Sequence, residues 1–333
     1  MIYSVAVIGS GSAGTMAALR AVLNNDSCLL FSGAPKDRKR SRAMWVKKVE
    51  NMPAHFGYKK GIDDPNAEVI AWINQSAFSE NLTYLKNTGV TRIEKRSDGI
   101  FDIVDSKNQT HQARFVVLCT GVMDVQPLIE NKISPIFPFA NAQAIDYCLR
   151  CDGHHVKSQH ASVIGHTTSA AWVAVMLFER YQTPSMTIFL NGEPQDMDAD
   201  ILELVEMYGI KIVPHAIKSV LGDTKAGELK GFELSDGSSV STTLCFVALG
   251  MIVYSELAKS LGVELDARGF VKADAQGKTS LDGFYVAGDV MAGTKKQIYT
   301  AWDTAVNAVD AINQKLRAEK RQKLLNDFRM KKT

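Results

Sequence analysis

The sequence predicts a doubly wound α/β protein made of two strand, glycine loop and helix units of one kind, the second inserted into the first. Three observations carry this. Val5, Val7 and Ile8 alternate into Gly9-Ser10-Gly11-Ser12-Ala13-Gly14, and Met16, Ala17, Leu19 and Val22 follow at helical spacing. The phrase returns 156 residues later, where Ser162-Val163-Ile164-Gly165 precedes His166-Thr167-Thr168-Ser169-Ala170-Ala171. Near the end, Gly283 to Val290 reads as a strand closing on Gly288-Asp289, followed by Lys296-Gln297-Ile298 and a helix from Tyr299 to about Leu316. Val116 to Gly121 reads as one more strand, ending in Thr120-Gly121. In such folds the chemistry lies at the C-terminal mouths of the strands.

Composition narrows the function. With 333 residues, 46% apolar and 22% charged, the chain can build two cores and is neither a disordered tail nor a disulfide-stapled miniprotein. A net charge of +2 argues against nucleic acid as a partner. The apolar runs Phe115 to Cys119 and Cys245 to Leu249 are strand-length, far below the roughly 20 residues that span a bilayer, so no membrane segment is expected. Five cysteines form an odd set, and no signal-peptide pattern opens the chain, so a reducing, cytoplasmic location is expected. Charge is nonetheless uneven. Lys36 to Lys48 holds seven basic residues against Asp37, and Lys315 to Thr333 holds eight against Glu319 and Asp327. Tyr181 to Ile210 has no Lys, Arg or His and six acids.

The first glycine loop is a dinucleotide fingerprint: one glycine makes the turn, the next admits a pyrophosphate and the last packs helix on strand. Gly9, Gly11, Ser12, Ala13 and Gly14 are therefore candidate cofactor-binding residues. The acid expected after the second strand is missing, since Cys28-Leu29-Leu30 runs into Phe31-Ser32, and Ser32 is the candidate for the ribose instead. In the second copy Thr167 stands where backbone should touch pyrophosphate, so that site reads as degraded. His166 reads as filler of the space a nucleotide would take. Trp172, at helical spacing with Val175 and Met176, reads as packing. Cys28, Cys119 and Cys245 sit in apolar strands and read as core.

Together with Val49-Glu50-Asn51-Met52-Pro53, Cys119-Thr120-Gly121 and Cys148-Leu149-Arg150-Cys151-Asp152-Gly153, these phrases resemble the low-molecular-weight thioredoxin reductases, a family of flavoprotein disulfide reductases. The resemblance covers nearly the whole chain. It implies FAD on the N-terminal unit, near Asn51, Thr120 and Gly121, with Gly288 and Asp289 at the ribityl chain and Gln297 and Ile298 at the flavin ring. It implies a discontinuous FAD domain, 1–121 and 246–333, interrupted by a smaller domain, 122–245, that carries the redox disulfide. A homodimer and a thioredoxin-like partner are implied as well.

A Cys-x-x-Cys at a helix N-terminus lowers one thiol pKa and cycles between dithiol and disulfide. The resemblance implies that Cys151 faces the flavin, that Cys148 is its disulfide partner and that Asp152 moves the proton. His154 and His155 stand where the family usually has aromatic residues. A zinc site from both sulfurs and both histidines is the rival, but four ligands within eight residues are tighter than zinc spacings, and no metal is expected.

On the donor side the family reads the 2′-phosphate of NADPH with arginines, and here the acidic stretch stands in their place. Losing one charged hydrogen bond of roughly 1.5–3 kcal/mol weakens binding about ten- to a hundredfold. With Thr167 and six acids added, no useful NADPH site is expected, as in the deeply rooted cyanobacterial-type and ferredoxin-dependent flavin thioredoxin reductases. Ferredoxin is then a feasible donor: a cluster near −400 mV driving thioredoxin near −270 mV releases roughly 6 kcal/mol per electron pair. The two basic stretches are candidate docking surfaces for it. Two other readings use the same parts: a dithiol oxidase passing electrons through FAD to oxygen, and a non-enzymatic flavin redox sensor.

Overall fold

The computed structural model describes residues 1–34, 41–45 and 48–332. The chain forms two compact units, one of residues Met1–Ser41, Ile62–Val122 and Val253–Thr333, the other of Arg42–Gly61 and Met123–Ile252.

In the first unit, β1 (Ile2–Ile8), β2 (Cys28–Phe31), β3 (Leu82–Leu85), β4 (Val90–Lys95), β5 (Phe101–Asp105), β6 (Thr110–Leu118) and β17 (Phe284–Val286) make one sheet. Strands β3, β2, β1, β6 and β17 run parallel, whereas β4 and β5 return antiparallel along the first half of β6. Register is what places the site. Ile8 lies opposite both Phe31 and Leu118, and Leu118 lies opposite Val286, so four neighbouring strands end at one level.

Two helices, α1 (Ser12–Leu23) and α8 (Ile298–Met330), cover one face. They meet through small residues, Ala17, Ala18 and Ala21 with Ala305, Ala308 and Val309, which bring the backbones close. Arg20 fastens the pair by a bidentate bond to Asp310, its Nε 2.6 Å from Oδ1. Ile8, Leu29, Phe31, Val116, Leu118, Phe284 and Val286 bury the opposite face, against a layer that includes Ala258 of α7 (Glu256–Ser260). Each fully buried Leu or Phe contributes about 1.5–3 kcal/mol. The last helix does not stop near Leu316 as expected; it continues to Met330, with Phe328 57% exposed.

The second unit holds a parallel sheet in the order β11 (Lys211–Val213), β10 (Ser185–Phe189), β9 (His160–Ile164), β15 (Leu244–Val247) and β8 (Ile145–Asp146). Its helices are α3 (Phe137–Asn141), α4 (Leu149–Asp152), α5 (Thr168–Tyr181) and α6 (Ala199–Met207). A three-stranded antiparallel sheet, β12 (Ile217–Asp223), β13 (Glu228–Leu234) and β14 (Ser239–Ser241), adds to it. A short ladder of β7 (Val122–Asp124) and β16 (Met251–Val253) marks where the chain passes between units.

The boundaries differ from expectation in two places. A return at 246 would cut β15 in half, and the chain crosses back at Val253 instead. Arg42–Gly61 groups with the second unit, held there in part by Arg42, whose Nε lies 2.7 Å from Asp124 Oδ2. In the helix α5, Val175 is buried but Trp172 is 43% exposed, so it is not the packing residue its spacing suggested. Among the described residues no helix is long and apolar enough to cross a membrane.

Asp105 closes the β5–β6 turn with a side chain only 1% exposed, accepting from the backbone N–H groups of Lys107 and Gln109 and facing His111 Nε2 at 3.0 Å. Burial raises its pKa, but His111 and the two amides outweigh burial and hold the carboxyl below its usual range. A lowered folded-state pKa gives stability that is present above the unfolded value, about 3.9, and is lost as pH falls through the folded value. Asp105→Asn is expected to lose about 1–3 kcal/mol at pH 7 in urea unfolding and to show a flatter acid limb than the wild type.

Candidate active site

The Cys148–Cys151 pair is a disulfide, with Cα atoms 5.2 Å apart. Cys148 is the N-cap of α4, and its Sγ accepts the backbone N–H of Cys151 at 3.2 Å. Such a bond, at the positive end of even a single helical turn, stabilises a thiolate once the pair is reduced. Cys148 is 8% exposed, and Cys151 is half-buried. Because the sulfurs are bonded to each other, they are not zinc ligands here. Cys28, Cys119 and Cys245 are free and buried, as their strands implied. Burial pushes the thiols of Cys28 and Cys245 up to about 12 and that of Cys119 higher still.

A cluster of charges surrounds the disulfide within the second unit. Asp152 is 4% exposed, and burial, helped by the charge of Asp146, pushes its carboxyl up to about 7. Asp146, also buried, lies 2.9 Å from His155 Nδ1. The Nε2 atoms of His155 and His154 meet a single oxygen of Glu50 at 2.9 and 2.7 Å. Hydrogen bonding to Asp146, and then to Glu50, outweighs burial and pushes His155 up to about 9. In turn His155 and His154 hold Glu50 below the usual carboxylate range. Asp146 and Glu50 were not singled out from sequence. Glu50 lies 105 residues from His155, and only the fold brings them together.

The first glycine loop sits at the level ends of β1, β6 and β17. A Cβ on Gly14 would lie 1.7 Å from the Gly9 carbonyl oxygen, so only glycine lets α1 start this close to its strand. A Cβ on Gly11, in contrast, would meet nothing within 4 Å: this edge of the loop faces open space. Among the described residues no carbonyl outside the helix accepts from the amides of Ser12, Ala13 or Gly14. Gly288 lies against Ala13, where an added Cβ would be 2.7 Å from Ala13 Cβ, and its N–H is held by Thr304. Thr120 and Gly121 follow β6, and the Thr120 hydroxyl donates to the Tyr254 carbonyl at 2.6 Å. Asp289 follows Gly288, and buried Gln297 caps α8, which begins at Ile298. Ser32, at the end of β2, accepts the Asn87 N–H at 2.7 Å. Asn51 alone of the expected cofactor residues lies on the segment that groups with the second unit.

The second loop is built differently. Gly165 retains its packing role, with an added Cβ 2.5 Å from Ala170 Cβ. At the start of α5, however, the Thr168 N–H donates to the Asp196 carbonyl at 2.9 Å, and the Asp196 N–H returns to the His166 carbonyl at 2.8 Å. The Thr168 hydroxyl accepts from the Asp198 N–H at 2.9 Å. The acidic stretch thus lies across the helix N-terminus and uses a first-turn amide that a phosphate would need. Of the basic stretch Lys36 to Lys48, residues 36–40 and 46–47 lie outside the described residues.

Two parallel-sheet units of the dinucleotide type, one carrying a Cys-x-x-Cys disulfide, define a flavoprotein disulfide oxidoreductase of the thioredoxin reductase type. The model of the pyridine nucleotide-disulphide oxidoreductase family matches residues 3–311, and the chain belongs to that family. It is similar to the thioredoxin reductase of Mycolicibacterium smegmatis, 28% identical over 90% of this chain and 92% of the relative. The thioredoxin reductase of Streptomyces coelicolor is also 28% identical, over 93% of each chain. A solved structure of a thioredoxin reductase from Bacillus anthracis shares the fold, with a TM-score of 0.81 at 22% identity, covering 96% of this chain and 99% of the other.

The burial pattern sets a thiol count. In the folded, oxidised protein, alkylation followed by mass spectrometry is expected to label none of the five cysteines quickly. After mild reduction only Cys148 and Cys151 should label, and rapid labelling of Cys28, Cys119 or Cys245 would contradict their burial.

Proposed function

We propose that this protein is an FAD-dependent reductase of thioredoxin or a thioredoxin-like dithiol protein that does not take its electrons from NADPH. The Asp196 bridge across the start of α5 carries the donor half of this reading: it consumes the Thr168 amide and lays the backbone of Asp196 to Asp198 along the helix start. A first-turn amide already bonded to a chain carbonyl is not offered to an anion, as an ordinary helix start offers it. Ferredoxin is a donor that the energetics permit. The part of α8 beyond Leu316 offers a docking surface, with Lys320, Arg321, Lys323, Arg329, Lys331 and Lys332 all exposed. We take the working form to be a cytoplasmic homodimer, with the FAD domain in the first unit.

The first glycine loop fits FAD. Gly9, Gly11, Ser12, Ala13 and Gly14 would cradle the pyrophosphate on the open side of Gly11, with Ser32 toward the ribose. Gly288 and Asp289 would hold the ribityl chain, and Thr120, Gly121, Gln297 and Ile298 would line the ring. The chemistry FAD supplies when bound is an electron pair, gathered from one-electron deliveries, for the Cys148–Cys151 bond. That bond breaks as two electrons and two protons arrive, and Asp152 is placed to hand on a proton at Cys151. Cys148, its sulfur already facing the Cys151 amide, is the thiolate that attacks the partner disulfide. Cys151 then displaces the partner from the mixed disulfide, the Cys148–Cys151 bond re-forms, and the partner leaves as a dithiol.

Under anaerobic conditions excess NADPH is expected to leave the oxidised flavin band intact, while a reduced plant-type ferredoxin bleaches it and yields thioredoxin thiols at a rate that falls with salt. Rapid bleaching by NADPH would sink the donor half, and sustained dithiol-dependent oxygen uptake would replace the reductase by an oxidase. Cys151→Ser should trap a mixed disulfide with thioredoxin through Cys148, and trapping by Cys148→Ser instead would reverse the order of the pair. Asp152→Asn should slow turnover about a hundredfold or more with the disulfide still reducible by dithiothreitol.

A further inference from the structure

We propose that Glu50, His154 and His155 form a binding site for one divalent transition-metal ion of the zinc type, beside the redox disulfide and independent of its sulfurs. Two imidazole nitrogens and a carboxylate oxygen converge: one Oε2 of Glu50 lies 2.7 Å from His154 Nε2 and 2.9 Å from His155 Nε2, and all three ligand atoms are within 4.8 Å of one another. Adjacent side chains on an extended strand point apart. Here the turn Gly153–Val156 swings both rings the same way, edge to face with centroids 4.5 Å apart.

A second, independent feature is the support behind the ligands. Asp146, 4% exposed, holds His155 Nδ1 at 2.9 Å. This holds a proton on Nδ1, so that an ion displacing the Nε2 proton would meet a lone pair directed at the ligand cluster, the carboxylate–histidine–metal arrangement that orients metal-bound imidazoles. Two imidazoles with one carboxylate form a set that binds zinc with one position open for water. Lacking thiolates, the set does not depend on the oxidation state of Cys148 and Cys151.

The ligands come from stretches 104 residues apart in sequence, so an ion would staple the segment Arg42–Gly61 to the turn that follows the disulfide. That role rests on neither the donor nor the partner proposed above. Without an ion the same three groups satisfy one another as an ion-paired cluster, which is the competing account.

The test uses the full-length protein with its disulfide intact, stripped with a chelator and titrated with zinc chloride against a chromophoric zinc indicator. One equivalent per chain is expected to bind at micromolar concentration or below, with a rise in the thermal midpoint. Glu50→Gln and His154→Ala, both at exposed positions, should each weaken binding at least tenfold with unchanged circular dichroism. Asp146→Asn should weaken it about 10- to 100-fold. A paired Cys148→Ser, Cys151→Ser variant should bind as the wild type does. No saturable binding below about 100 μM zinc, binding indifferent to Glu50→Gln and His154→Ala, or loss of binding in the paired serine variant would each overturn the proposal, the first leaving only the ion-paired cluster.

Discussion

The first-turn amides of a helix have no partner within their own helix, and in this protein the way two helices meet that requirement separates two otherwise similar units. Both α1 and α5 follow a parallel strand, both begin with a glycine turn, and both pack small residues on their sheet. At α1 the loop edge at Gly11 is open. At α5 the chain supplies its own acceptor, the Asp196 carbonyl. An open helix start can receive an anion, and one whose amide is taken by a chain carbonyl offers less to it. The proposed contrast between a cofactor unit and a disulfide unit rests on that difference.

Around the disulfide the governing constraint is electrostatic. Asp146, Asp152 and Glu50 bring three carboxylates to one region, two of them buried, and so many negative charges are tolerated only where something answers them. His155 answers two of the three, Asp146 on one ring nitrogen and Glu50 on the other. Asp152 lacks that relief, and burial together with the charge of Asp146 carries its proton affinity toward neutrality. Dithiol chemistry consumes and releases protons, so a carboxyl with such an affinity beside the sulfurs is suited to the exchange.

Sequence carried the local features and missed the long-range ones. Gly9 to Gly14, Gly288-Asp289 and Cys148 to Asp152 are legible because each is a short phrase whose spacing alone dictates a turn, a strand end or a helix cap. The departure of the second loop from the fingerprint was legible too, through Thr167 and the acids, although the bridge from Asp196 was not. Glu50 and Asp146 escaped notice because neither forms a pattern with its sequence neighbours; they matter through His154 and His155. The boundary near 246 was misread because β15 is an apolar strand that either unit would accept, and pairing with β8 and β9 decides. The extension of α8 to Met330 was hidden by its charge, since its last turns are mostly exposed and rich in Lys and Arg.

On the proposed reading, loss of a donor site need not cost the fold that held it. The second unit draws its stability from Val163, Ala170, Ala171, Ala174, Ile188 and Phe246, buried between sheet and helix, and Gly165 preserves the close approach they require. None of these positions is where a nucleotide phosphate would be held. The positions that would hold it, the loop edge at Thr167 and the first amides of α5, contribute little to that core. Closing them with Asp196 adds hydrogen bonds worth about 0.5–1.5 kcal/mol each. On the proposed reading the scaffold does not oppose replacement of a nucleotide site, and with electrons arriving by another route the closed form would be the more stable one. The same reasoning explains why the first unit cannot follow. If its open edge at Gly11 were closed by a chain carbonyl, the FAD proposed there would lose its cradle and the disulfide its proposed source of electrons.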